Sequence, residues 1–161
     1  RKRAAKGDLK MQLVLAERLK ETSEFAEARE WMEGAANAGH ADAQLALGSW
    51  YELGECGLPK DNVRAVQWYA RAAEQGHAVS QCSLATCYCT GVGVAQDMGR
   101  AVHWYTRAAE QGEDNSQFKL GVCYADGDGV AQDMGRAVHW YAKAAEQGHV
   151  NAQHNLGVCY A

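Results

Sequence analysis

Six histidines and six cysteines are the side chains in this 161-residue sequence that could do chemistry if their spacing allowed it. Grouped at ligand distances they would hold a metal, and a histidine beside a thiol or hydroxyl would activate a nucleophile. The spacing argues against both. The run "CSLATCYC" (Cys82 to Cys89) lacks the CxxC step of zinc sites. Cys87, Cys123 and Cys159 recur every 36 residues, so they hold the same place in successive copies, about 10 Å apart by helix spacing. That is too far for a disulfide, and they read as small buried hydrophobes. Cys56 and Cys89 fall at turns and are expected to be partly exposed. His40, His77 and His149 each follow a glycine, and His103 and His139 stand where another copy has Gln67, a position that does not need imidazole. Asp126 and Asp128 hint at calcium, but the other copies carry no matching carboxylates. "GVGV" and "GDGV" lack the Lys-Ser/Thr of a phosphate loop and read as turns. No Ser/His/Asp set or paired carboxylates occur. The expectation is a protein without catalytic residues, metal or cofactor.

What must position these residues is a repeat. "GVGVAQDMGRAVHWYTRAAEQG" (Gly91 to Gly112) and "GDGVAQDMGRAVHWYAKAAEQG" (Gly127 to Gly148) differ at three positions. Asp97 and Asp133, Trp104 and Trp140, and Tyr124 and Tyr160 all stand 36 residues apart. Asp61, Trp68, Tyr69 and Gly76 continue the series backwards. Trp31, Gly39, His40 and Tyr51 precede their partners by 37, the extra residue lying in "LGECGLPKD". "MQLVLAERL" (Met11 to Leu19) aligns with a further copy.

Each copy holds two helical patterns. In the second, Asp61, Asp97 and Asp133 are suited to cap the helix start and Gly76, Gly112 and Gly148 to end it. Between them Ala65, Trp68, Tyr69 and Ala72 form an i, i+3, i+4, i+7 stripe opposite the polar Arg64, Gln67, Arg71 and Glu74. Trp104 is therefore expected to be a large buried aromatic. In the first pattern Ala43, Leu47, Gly48, Trp50 and Tyr51 share one arc. Helices are expected at 8–20, 23–38, 41–53, 61–75, 78–89, 98–111, 114–125, 134–147 and 150–160. A hairpin cannot bury its stripe alone, but stacked hairpins can.

Composition narrows the function. Net charge is −4 and the one basic cluster, Arg1-Lys2-Arg3, is terminal, which disfavours nucleic acid. No apolar run is long enough to span a membrane, and the start lacks the apolar core of a signal peptide. The chain does not begin with Met and is read as a piece of something longer.

The pattern AxxxLGxxYxxGxGVxxDxxxAxxWYxxAAEQGH closely resembles the Sel-1-like repeat, a relative of the tetratricopeptide repeat, over essentially all of residues 1–161. The match is weakest before Glu24, where "KETS" replaces the Gly-rich turn. The resemblance implies an all-α, right-handed solenoid of antiparallel helix–turn–helix repeats with a 36-residue period, about four hairpins with partial repeats at both ends. It implies an adaptor or scaffold that assembles protein complexes, with no catalytic residue to carry over. Some relatives have a cysteine pair linking the helices of a hairpin. The second helices here contain no Cys, which mildly favours a reducing compartment.

The arc of the first helix opposite its framework varies from copy to copy. It holds Asp42, Leu45, Ala46 and Ser49; then Val79, Cys82, Ser83 and Thr86; then Asn115, Phe118, Lys119 and Val122; then Asn151, His154, Asn155 and Val158. Either the curvature of the solenoid partly covers these residues or they are merely tolerated, or Leu45, Cys82, Phe118 and Val122 floor a groove for a protein or peptide segment, with Phe118 facing outward. The expected contact residues are Asp42, Leu45, Ser49, Val79, Cys82, Thr86, Asn115, Phe118, Lys119, Val122, Asn151, His154 and Asn155. A second possibility is a receptor for a small ligand or cell-wall fragment, read through Asn151, His154 and Asn155. Membership of a larger assembly is also open.

Overall fold

A computed structural model describes residues 25–160. The expected helix at 8–20, the start of the next one and the Arg1-Lys2-Arg3 cluster lie outside the described residues. Eight helices and no strand occur among the described residues: α1 (Phe25–Asn37), α2 (Ala41–Leu53), α3 (Asn62–Glu74), α4 (Ala78–Thr90), α5 (Met98–Glu110), α6 (Asp114–Asp126), α7 (Met134–Glu146) and α8 (Val150–Cys159). Each falls within a residue or two of its expected bounds. The fold is an all-α helical repeat, and it divides into a unit ending at His77 and a unit beginning at Ala78.

The first unit holds α1, α2 and α3, each packed on the next in the chain. The arc Ala43, Leu47, Gly48, Trp50 and Tyr51 of α2 is buried as its spacing predicts. Gly48 is required there, because a Cβ on it would stand 2.5 Å from the ring of Tyr69. The longer loop between α2 and α3 tucks inward. Cys56 and Leu58 are buried, and Cys56 adopts a positive φ of 53°. The expectation of a partly exposed Cys56 is thus corrected: the residue added to this loop buries a thiol.

The second unit contains α4 to α8, again packed mainly in chain order. Its core gathers Ala85, Ala101, Val102, Tyr105, Ala109, Leu120 and Cys123. The Trp-Tyr pair divides its labour. Tyr105 is 1% exposed, whereas Trp104 is half-buried at the margin of the core, with Arg107 above its ring at 4.9 Å. The expectation of a buried Trp104 is therefore corrected. Consecutive helical residues diverge by about 100°, so only one of the pair reaches the centre of the interface. Cys89 belongs to the last turn of α4 rather than to a loop, and it is half-buried.

The hairpin turns are held by a set of bonds that recurs in both units. The Asp61, Asp97 and Asp133 carboxylates accept the amides of Arg64, Arg100 and Arg136, as expected of N-caps. The same aspartates pair with the guanidinium groups of those arginines. Each arginine donates to the hydroxyl of the preceding helix's tyrosine, Tyr51, Tyr88 or Tyr124. The aspartate amide in turn donates to that tyrosine's carbonyl. The recurring tyrosine, aspartate and arginine are thus one device that closes each turn. Gly76, Gly112 and Gly148 have φ values of 91°, 93° and 89°, the left-handed ends that helix termination favours.

Candidate functional site

The variable arcs of the first helices are on the surface. In the first unit Asp42 is exposed and Leu45 and Ser49 are half-buried. In the second unit Val79, Thr86, Asn115, Lys119, Asn151 and His154 are exposed, while Cys82, Phe118, Val122 and Asn155 are half-buried. The framework arcs beneath them, Ser80, Gln81 and Leu84 or Ser116, Gln117 and Leu120, are buried.

Within the second unit several of these residues are tied to the next helix. Phe118 does not face outward as expected. Its ring stacks on His149, with centroids 4.7 Å apart, and lies 6.0 Å from Tyr141. The N-terminal turn of the following first helix reaches back over this position, so an aromatic here covers a repeat junction. Cys82 holds the same place one copy earlier and lies against Glu113 and Ser116. Burial pushes its thiol up to about 12, and burial also raises Cys123, to about 11. Both stay protonated at neutral pH and are poor nucleophiles. Thr86 shares a 3.0 Å hydrogen bond with the buried phenol of Tyr105 and donates to the carbonyl of Cys82. Asn155 bonds the Tyr141 hydroxyl. Asn115 donates to the carboxylates of Glu113 and Asp114. Lys119 stands 5.9 Å from the Phe118 ring centroid. Val79, Lys119, Asn151 and His154 are the side chains of this surface with most freedom to meet another molecule.

Residues flanking the surface complete its edges. Glu113 caps α6 by accepting the amide of Ser116 at 2.6 Å. Burial pushes its carboxyl upward, but hydrogen bonds from Ser116 and Asn115 outweigh that and hold it below the usual carboxylate range. His149 caps α8, its Nδ1 accepting the Ala152 amide at 3.2 Å. In the first unit the equivalent His77 bonds Asp42, at 3.1 Å.

One set of positions went unread in the sequence. Gln44 and Gln117 are buried, and each donates through Nε2 to a carbonyl near the end of the previous helix, Ala36 and Ala109 respectively. Their amide oxygens receive the Gln75 and Gln147 side chains at 2.7 and 2.8 Å. Gln81, also buried, receives Gln111 at 2.7 Å. The glutamines of "AQ" and "EQG" therefore meet across successive copies. Their fixed recurrence was the available signal.

No group of three or more His, Cys, Asp or Glu side chains among the described residues is arranged to hold a metal ion. No described helix is long and apolar enough to cross a membrane.

Comparison with known proteins agrees with this architecture. The Sel1 repeat profile matches residues 23–40, 41–77, 78–113, 114–149 and 150–161. No curated protein matches the chain. Among solved structures, a protective antigen present in uropathogenic Escherichia coli strains and displaying an SLR fold superposes with a TM-score of 0.92 at 40% identity, over 96% of this chain and 34% of that one. A Sel1 repeat protein from Oxalobacter formigenes gives 0.88 at 36% identity, over 98% of this chain and 66% of that one. Helicobacter pylori cysteine rich protein B shares the fold at 21% identity, with a TM-score of 0.64, over 83% of this chain and 95% of that one. The chain thus spans about a third of the first relative's length and 66% of the second's. Its recurring Asp–Arg–Tyr turns, glycine contacts and glutamine pairs are the internal framework of a helical repeat, and the chain belongs to the Sel1 repeat family.

Proposed function

We propose that this protein is a non-catalytic interaction scaffold that binds a partner protein segment along the variable arcs of its first helices. Proteins of this family are generally protein–protein interaction scaffolds. The observation that carries the reading is the division of the first helices. In α2, α4 and α6 most residues that recur between copies are buried, and the residues that differ between copies are half-buried or exposed. In the second unit Val79, Asn115, Lys119, Asn151 and His154 make direct contacts, while Cys82, Thr86, Phe118, Val122 and Asn155 shape the surface beneath them. In the first unit Asp42, Leu45 and Ser49 are the equivalent residues. Exposed amides, one ammonium and intervening apolar side chains suit a segment that presents carbonyls and small apolar groups.

The test is affinity capture followed by titration calorimetry with the recovered partner. A variant carrying Asn115→Ala, Lys119→Glu and Asn151→Ala loses at least about tenfold in affinity, in keeping with the weight of a few central contacts. A variant carrying His103→Ala and Arg107→Ala on the outer face of α5 binds as the parent does. Equal loss from both, or loss from the second alone, overturns the assignment of the surface. Recovery of a bound small molecule without any protein partner favours the receptor reading instead.

A further inference from the structure

The first helices α2, α4 and α6 are each covered by the helix that follows, and the cover is made at the same three points. Near the end of the first helix a tyrosine hydroxyl accepts from an arginine: Tyr51 from Arg64, Tyr88 from Arg100 and Tyr124 from Arg136. Five residues after each arginine, a buried tyrosine of the covering helix packs on a small residue. Tyr69 lies on Gly48 and Tyr141 on Gly121, and Tyr105 shares the core with Ala85. Six residues further on, a glutamine donates to the glutamine near the start of the first helix. Gln75 donates to Gln44, Gln111 to Gln81 and Gln147 to Gln117.

α8 carries the same three points, and no described helix follows it. Tyr160 is 75% exposed, where Tyr124 is half-buried. A Cβ on Gly157 would meet nothing within 4 Å, where one on Gly121 would stand 2.6 Å from the ring of Tyr141. Gln153 is exposed, yet it is held as its buried counterparts are. Its Nε2 donates to the Ala145 carbonyl, just as Gln117 donates to Ala109 and Gln44 to Ala36. Its Oε1 is thereby left to accept from a side chain, as theirs do. Leu156 is half-buried, where Leu120 is fully buried.

We propose that this face of α8 docks one amphipathic helix of a second polypeptide, laid antiparallel, with arginine, tyrosine and glutamine at positions i, i+5 and i+11. The arginine donates to the Tyr160 hydroxyl, the tyrosine ring lies on Gly157 beside Leu156, and the glutamine donates to Gln153. The interface continues the pattern by which α2, α4 and α6 are covered, and a helix lying in an apolar groove is a common mode of recognition. A second folded copy of this chain has no such helix to offer. In α3, α5 and α7 the tyrosines are buried, and the glutamines that follow are bonded within their own hairpins. The docking face shares no residue with the variable arcs and does not rest on the scaffold reading above.

The probe is an acetylated and amidated peptide with the sequence of residues 133–148, which carries the three side chains as Arg136, Tyr141 and Gln147. A helix this short folds only on docking, so calorimetric titration of the 161-residue chain runs to about 1 mM peptide. Saturable one-to-one binding is expected. Gly157→Leu fills the place of the tyrosine ring and lowers affinity at least about tenfold. Its melting midpoint does not fall, because that space is open in the folded chain. Gln153→Leu lowers affinity about three- to tenfold, the weight of one hydrogen bond. Tyr141→Ala in the peptide lowers it at least about tenfold. Absence of saturable binding overturns the proposal, and so does binding that Gly157→Leu leaves intact, which would mean exchange with α7. Self-association of the chain alone in sedimentation, abolished by Gly157→Leu, would make a second copy the occupant and overturn it equally.

Discussion

Tyr105 and Trp104 are chain neighbours of similar bulk with different duties. Tyr105 fills the centre of the second unit's core and Trp104 rests on its margin. Tyr105→Ala is expected to cost about 3–5 kcal/mol in urea denaturation and Trp104→Ala about 1–2 kcal/mol. Equal costs would mean that the rotation of α5 is misplaced. Phe118→Ala removes the stack on His149 and the contact with Tyr141, and is expected to lower stability by about 1–3 kcal/mol. A melt that leaves the midpoint unmoved would show that Phe118 serves only a partner. The hydrophobic stripes were legible from periodicity alone, because burial repeats every three or four residues. The orientation of Phe118 was not, because its stacking partner lies 31 residues on, at the start of another helix. The glutamine ladder was hidden for a different reason: a buried polar residue interrupts no apolar stripe and resembles surface until its partner is seen.

At the scale of the element, helix ends and hairpin turns depend on few atoms. Asp133→Ala removes an accepted amide bond and the Arg136 pair together, for an expected loss of about 1–2 kcal/mol. Gln117→Leu keeps the volume but removes one of two donors to the Ala109 carbonyl and one of two acceptors of the Gln147 amide, and Gly112 remains the partner of both. Its expected cost is about 1 kcal/mol, that of the lost hydrogen bonds, with no polar group left unmet. Gln153→Leu, on the exposed counterpart, should cost under about 0.5 kcal/mol. Glu113 adds a pH dependence whose sign follows from its depressed folded-state pKa. Its contribution is fully present above the unfolded carboxylate range and is lost as pH falls through the lower folded value. Glu113→Gln should therefore be less stable than the parent at pH 7 by about 1 kcal/mol, with the gap closing in acid titrations of the melting midpoint. The boundaries of these helices were legible to within a residue or two because aspartate and glycine punctuate every copy. The Asp–Arg–Tyr device was not, since each residue alone reads as an ordinary cap, surface charge or core aromatic.

For the molecule as a whole, the substantial contacts of the second unit follow chain order, so damage should spread to neighbours and fade. Gly121→Ala drives a methyl to within 2.6 Å of the Tyr141 ring. Hydrogen exchange in that variant should rise most in α6 and α7 and least in α4. A uniform rise across α4 to α8 would instead mean that the unit opens as a single block. The repeat fold was legible from the recurrence itself, which is why every element among the described residues appears where its copy predicts. The partner surface was legible only as the places where copies disagree, and disagreement does not distinguish a residue that meets a partner from one that meets the next repeat.

The two nearly identical copies also bear on how such a chain changes length. Residues 97–132 begin and end at the same point of the repeat, so excising them from the gene would join Gln96 to Asp133 and restore an unaltered hairpin turn. Recombination between the two copies can thus remove or add a whole hairpin in frame, and every framework bond finds an equivalent atom. What does not survive such an exchange is the pairing at the repeat junctions. Cys82 would lie opposite His149 in place of Glu113, and a carboxylate cap would give way to an imidazole one. Heredity would be lenient toward the number of hairpins in this protein and strict about their order.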